Sequence, residues 1–279
     1  MIKSILVALD ESPSSDAAKK LGVHLAKTYK TALSGIGILD EPWIAAPEAI
    51  PLGGAAFKVE IDAQLLSTAK RHVAKLEKEF VDFCKTQDIS CSIIDATGVP
   101  YYEIEHFLTE HDILIVGKDA NFHFAPPSDT SVSVRQLLKD NPRPVIITGP
   151  HLPYQDSPDV LVAFDGTLAS SRALHMGILM GIFHKKTLHI ASVSEDEEEG
   201  RDYVNIAAKL CHNHGIKTHV HPLVTSEKPA KALLNLIDEL KPSSLIMGAY
   251  GRGGLSRFFR GSCVEEILKS TDVPIFSFH

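Results

Sequence analysis

The sequence predicts an α/β protein built from two tandem doubly wound units, and three observations carry that prediction. The first is an internal repeat: Ile5-Leu6-Val7-Ala8-Leu9-Asp10-Glu11-Ser12 matches Val160-Leu161-Val162-Ala163-Phe164-Asp165-Gly166-Thr167. The second is an alternation of strands and helices in each half, with strands that read as continuous apolar runs. Such runs mark parallel sheets covered on both faces. The third is a proline-rich stretch with Pro150, Pro153 and Pro158, which reads as a linker between the repeats. The expected division is 1–149, a linker at 150–158, and 159–279.

In the first half, strand 5–9 ends at Asp10 and leads into helix 14–29 and strand 32–39. A long helix at 65–84, strand 90–94, short helix 102–109, strand 113–116 and strand 144–147 follow. The second half repeats the order with strand 160–164, helix 169–184, strand 187–193, helix 203–211, strand 217–222, helix 230–240, strand 245–247 and strand 274–277. Both closing strands are entered through a proline, Pro144 and Pro274. They are apolar and terminal, and an exposed apolar edge needs covering. Pairing one with the other would make the chain a pseudo-dimer, and a further homodimer is expected on the same ground.

Composition narrows the class. A length of 279 residues suits two ordinary domains. Apolar content of 44% and charged content of 23% describe a soluble globular protein. A net charge of -7 excludes a nucleic-acid binder that relies on a broad basic face. Cys84, Cys91, Cys211 and Cys263 are scattered without a Cys-x-x-Cys, which suits buried thiols in a reducing compartment. The first ten residues read as a strand rather than a signal peptide. The longest apolar stretch, 173–183, is far short of a membrane span. The expected setting is cytoplasmic, without a membrane partner.

The segment 248–262 carries the chemistry. It begins where the apolar strand 245–247 stops and ends where an amphipathic helix starts at Cys263. A glycine-bounded loop between a strand and a helix N-terminus is a common phosphate holder, because backbone N–H groups and the helix dipole both favour an anion. Gly248, Gly251 and Gly261 let the backbone approach a ligand, and Ser262 offers a hydroxyl. Ser262 and Glu265 have capping-box spacing. Arg252, Arg257 and Arg260 make the loop basic. A lone Gly-x-x-Gly serves tight turns more often than ligands. The flanking strand, the capped helix and the arginines favour a nucleotide. Asp10, Asp165 and Gly248 all fall at carboxyl ends of strands, where open α/β sheets bind ligands. The bland alternative for the aspartates is a turn or helix cap.

These residues resemble the universal stress protein family, and the resemblance covers both halves. Its specific part is the family's ATP-binding signature of glycine, two residues, glycine, nine residues, glycine and serine or threonine, matched by Gly248, Gly251, Gly261 and Ser262. The resemblance implies a Rossmann-like five-stranded parallel sheet per domain and frequent dimerisation. It also implies that Asp165 lines the nucleotide site, that Val193 meets adenine, and that Met247 precedes the loop. Cys263 stands where the family usually has an aliphatic residue and uses the backbone. The first half departs from this pattern. Aligning Gly117 with Gly248 puts Ala120 and Thr130 where the signature has glycine, and Ser131 at the serine. Side chains there oppose the close approach that glycine permits. With Asp119, Asp129, Pro126 and Pro127, and Lys118 as its one cation, that loop is a poor phosphate cradle. The first domain is therefore expected to be degenerate.

The resulting expectation is a stress-response protein that binds ATP with Mg²⁺ in its second domain and acts by a conformational or assembly change. Asp165 and Val193 would meet the adenosine. Gly248, Gly251 and Arg252 would meet the ribose and phosphates, and Gly261 and Ser262 would hold the phosphates. The alternatives are a slow ATPase or adenylyl-transferring enzyme, and an interaction module with a vestigial loop. The sequence offers no triad, no Gly-Lys-Ser/Thr P-loop and no assigned catalytic residue.

Three other features have bland readings. Cys211, His212, His214, His219 and His221 fit no common zinc spacing and read as surface histidines, although His219 and His221 share one strand face. The acidic run 194–200 reads as solvated. The stretch 40–63, with Trp43, reads as a long loop serving as a lid or interface.

Overall fold

The structure, a computed structural model, describes residues 1–46, 55–123, 132–183, 185–248 and 261–278. The first half contains β1 (Ser4–Ala8), α1 (Pro13–Tyr29), β2 (Ala32–Leu39), α2 (Glu41–Ile44) and α3 (Ala55–Thr86). It continues with β3 (Ser92–Thr97), α4 (Pro100–Leu108), β4 (Ile113–Gly117), α5 (Val132–Asp140) and β5 (Val145–Thr148). The second half contains β6 (Asp159–Ala163), α6 (Leu168–Met180), β7 (Thr187–Ser194), α7 (Glu197–Asn213) and β8 (Lys217–Val224). It ends with α8 (Pro229–Leu240), β9 (Leu245–Gly248), α9 (Gly261–Ser270) and β10 (Ile275–Phe278).

All ten strands join in one sheet, in the order β3-β2-β1-β4-β5-β10-β9-β6-β7-β8. Within each half every pairing is parallel, as continuous apolar strands require. The halves meet through the antiparallel pair β5·β10, with Ile147 opposite Ile275 and Ile146 opposite Phe276. These are the two apolar closing strands, and each covers the other's edge.

Alternation along the two strands builds a shared interior. Val145, Ile147 and Ile275 enter one core layer, which is closed by side chains of α4, α5, α8 and α9. Ile146 and Phe276 enter the opposite layer, beneath α1, α3, α6 and α7. Both layers run unbroken from one half into the other. Burying each such side chain contributes about 1.5–3 kcal/mol, so the seam is held chiefly by apolar packing. Polar contacts add to it. The Lys118 ammonium donates to Asp272 at 2.9 Å and to the Thr271 carbonyl at 3.2 Å, and the Tyr29 hydroxyl donates to the Ile182 carbonyl at 3.1 Å.

Helix ends differ from the sequence expectation. The acidic run is solvated, with 195–198 exposed, and it also forms the N-terminus of α7: the Asp196 carboxylate accepts from the backbone N–H groups of Glu198 (2.8 Å) and Glu199 (3.1 Å). Acidic side chains are favoured there by the helix dipole. Helix α6 stops at Met180 because Gly181 takes a left-handed cap at φ 73°. Helix α9 begins at Gly261, one residue before Ser262, and Glu265 lies 3.5 Å from Arg135 of the other half. The stretch read as a long loop contains α2 and the first turns of α3, with 47–54 outside the described residues.

Candidate functional site

The second half turns at β6. From β6 the chain passes through β7 and β8 on one side, then crosses to β9 and β10 on the other. The gap between β6 and β9 is therefore the switch point, and ligands of open α/β sheets bind outside the carboxyl ends of strands at such a point. Its floor is set by the pairs Leu161↔Leu245 and Val162↔Ile246. Asp165 follows β6 on one side, and Gly248 ends β9 on the other.

Asp165 is buried at 6% exposure. Its Oδ1 accepts from the Thr167 backbone N–H at 3.1 Å and from the Thr167 hydroxyl at 2.6 Å. The Thr167 oxygen in turn caps α6 by accepting from the Ser170 N–H at 3.3 Å. Gly166, at φ 73°, makes the bend between them, and a Cβ on it would sit 2.4 Å from the Tyr203 ring. Gly248 is needed for packing as well: its Cβ would lie 2.6 Å from the Ser170 backbone nitrogen, inside the start of α6.

Val193, Met247 and Cys263 are core residues, exposed at 3%, 1% and 4%. Contact between these three and a ligand would run through their backbone atoms. Burial pushes the Cys263 thiol up to about 12, and the Glu266 and Asp165 carboxylates add to the shift. Gly261 and Ser262 open α9, while Gly251 and Arg252, with Arg257 and Arg260, lie outside the described residues.

A polar chain on the rim is absent from the sequence reading. The Tyr203 hydroxyl donates to Glu199 Oε1 at 3.2 Å, and the Ser194 hydroxyl donates to Glu199 Oε2 at 2.7 Å. Burial raises the Tyr203 pKa, with Glu199 and Asp165 raising it further. The available signal was the i,i+4 spacing of Glu199 and Tyr203 on one helix.

In the first half the corresponding aspartate is held by the backbone of its own loop. Asp10, 2% exposed, accepts from the Ser12 N–H and hydroxyl, each at 3.1 Å, and from the Asn121 backbone N–H at 2.7 Å. Burial raises its pKa against the pull of those hydrogen bonds. Ala120 is fully buried in the core. His123 Nδ1 lies 3.0 Å from the Asp40 carboxylate, and its ring stacks on Trp43 with centroids 4.9 Å apart. Lys118 is engaged with Asp272 across the seam. Asp129, Thr130 and Ser131, with Pro126 and Pro127, lie outside the described residues.

His212, His214 and His219 are exposed, and His219 and His221 both lie against the His189 ring, on one strand face as the sequence suggests. Cys211 is fully buried in a core layer, and its thiol is pushed up to about 11 by burial. His221 meets His189 of β7, Nε2 to Nδ1 at 3.0 Å, and His189 Nε2 lies 3.2 Å from Asp159. Among the described residues no group of three or more His, Cys, Asp or Glu is placed to hold a metal ion, and no helix is long and apolar enough to cross a membrane.

Comparison with known proteins agrees with this geometry. Residues 193–278 match the model of the universal stress protein family. Universal stress protein Slr1230 of Synechocystis is 22% identical over 191 residues, 68% of this chain and 65% of that protein. Universal stress protein MJ0531 of Methanocaldococcus jannaschii is 28% identical over 79 residues, 28% of this chain and 45% of that one. The chain thus spans less than two thirds of either relative. A universal stress protein from Archaeoglobus fulgidus superimposes with a TM-score of 0.68 at 20% identity, covering 98% of this chain and 97% of its own. A putative universal stress protein from Pseudomonas aeruginosa gives 0.58 at 18% identity, covering 99% and 93%. Residues 193–278 belong to the universal stress protein family, and both halves of the chain share that family's fold.

Proposed function

We propose that the second half binds ATP at the β6/β9 crevice, and that the protein acts through a conformational or assembly change rather than turnover. The observation that carries this reading is the position of Asp165 and Gly248 at the carboxyl ends of β6 and β9, on either side of one switch point, with α9 the helix that follows β9. The chemistry fits the ligand. A helix N-terminus offers backbone N–H groups to phosphate, and an aspartate at the crevice offers an acceptor to the nucleoside. Gly261 and Ser262 would hold phosphate, Gly251 and Arg252 would flank the ribose and phosphates, and Val193, Met247 and Cys263 would contribute backbone. Mg²⁺ would enter with the nucleotide and neutralise its charge.

In this reading the first half, 1–149, is a scaffold or regulatory partner, joined through 150–158 to the binding half, 159–279. The setting is cytoplasmic, and a homodimer forms beyond the internal pairing. ATP titration of the full chain, wild type against Gly261→Asp, tests the site. Binding by wild type that the carboxylate abolishes is expected, since it meets the phosphates with like charge. Folded wild type that binds no ATP would refute the reading.

A further inference from the structure

A second cavity, of about 150 Å³, lies where the two halves and the linker meet. It is lined by Val160 at the start of β6 and by Ser243 and Ser244 just before β9, so it sits at the opposite end of the second-half strands from the nucleotide crevice. Leu21 and Leu25 of α1 and Ile146 of β5 supply walls from the first half, and Phe183 and Phe276 supply walls from the second. A cavity of roughly this volume with Leu, Ile and Phe walls holds one benzene ring.

Two basic groups interrupt the apolar lining, Lys186 and His24. The Lys186 ammonium donates to the Ser157 carbonyl at 2.7 Å and to the Ser243 hydroxyl at 3.3 Å, two of its three N–H positions. Burial lowers the Lys186 pKa, while Asp156 and Asp159 outside the lining act in the opposite direction. Burial and the neighbouring Lys186 charge lower the pKa of His24.

An open cleft of about 490 Å³ shares Phe183 and Lys186 with the cavity. It adds Lys185, Lys217 and His214, and no carboxylate lines either space among the described residues. Lys186 therefore stands between an apolar chamber and a basic vestibule. A cleft lined by one sign of charge raises the local concentration of the opposite ion.

We propose that this cavity binds a small aromatic carboxylate, with its ring against Leu25, Ile146 and Phe276 and its carboxylate on Lys186. The ring replaces apolar contacts that an empty chamber forgoes, and the carboxylate makes a charge-assisted hydrogen bond away from bulk water. Because the walls come from both halves, the bound ligand stabilises their docking.

The test titrates the full chain with benzoate, benzyl alcohol and acetate, followed by amide chemical shifts and by melting temperature. Benzyl alcohol keeps the ring without the charge, and acetate keeps the charge without the ring. Benzoate is expected to bind about tenfold more tightly than either, as a charge-assisted bond added to ring burial implies. Lys186→Gln should lose that margin for benzoate and leave benzyl alcohol unchanged. Val160→Phe should fill the chamber and abolish both. Saturating ATP should leave benzoate binding unaltered. Equal binding of acetate and benzoate by wild type would overturn the proposal without reference to any variant. So would benzoate affinity unchanged in folded Lys186→Gln, or competition between benzoate and ATP.

Discussion

The two halves follow the same strand order around β1 and β6, place an aspartate after that strand, and end the fourth strand with a glycine, but the loops after that glycine differ in sequence. In the first half Asp10 is closed over by the Asn121 N–H of its own loop, while Lys118 is spent on the seam. In the second half Asp165 accepts from Thr167 and acts electrostatically on Cys263 in the first turn of α9, while 249–260 lie outside the described residues. The glycine present in both serves packing. A Cβ on Gly117 would lie 2.8 Å from Ser14 Cβ, and one on Gly248 would lie 2.6 Å from the Ser170 nitrogen. Each lets the first long helix of its own half, α1 or α6, pack onto the sheet. The glycines missing from the first half are the later ones, replaced by Ala120 and Thr130.

The largest expected effect falls on binding. Gly261→Asp should weaken ATP by roughly a hundredfold or more, since it sets a carboxylate where the helix N-terminus would meet phosphate. Calorimetric titration reads this, and urea unfolding should show little change. Next come Gly248→Ala and Gly117→Ala, which should each destabilise by about 1–3 kcal/mol through overpacking. Gly248→Ala should cost more, because its nearest neighbours are backbone atoms at 2.6 and 2.7 Å. Urea midpoints for the pair decide this, and a Gly248→Ala variant of full stability would break the packing account.

A smaller effect falls on Asp10. Burial raises the Asp10 pKa above its unfolded value, so its favourable contribution is complete below the unfolded pKa of 3.8 and is lost as pH rises through the folded value. Asp10→Asn should therefore gain stability relative to wild type as pH goes from 4 to 7, the unfolded carboxyl value of 3.8 marking the lower end of the window. Paired denaturation curves at those two pH values show the sign. The smallest effect is at the seam. Arg135→Ala should cost about 0–1 kcal/mol, because the pair with Glu265 is more than a third exposed and spans 3.5 Å. Lys118→Ala should cost more, having two partners and a side chain only 17% exposed.

Much of the fold was legible because its signals are local. Apolar runs ending in Asp10 and Asp165 marked the first strands, and the apolar strands after Pro144 and Pro274 announced the β5·β10 seam. The start of α3 was not legible because its first turns bury little, with Phe57 and Val59 exposed at 68% and 69%, leaving no apolar stripe to read. The start of α7 was missed for another reason. Glu197, Glu198 and Glu199 look like a solvated run until Asp196 caps them. At the site, Asp165 and Gly248 could be read from strand ends. The Ser194–Glu199–Tyr203 chain could not, because it exists only once α7 docks against β7. The closure of Asp10 was equally hidden, since its donor is the backbone of Asn121 and carries no side-chain signature.

The central claim is that one crevice of the two is open to nucleotide. Equilibrium dialysis of the full-length chain against labelled ATP, after removal of any nucleotide that copurifies, measures it most directly. The account predicts one ATP per chain at saturation. Two per chain would contradict the closure of the first half by Asn121, and none would contradict the nucleotide site itself.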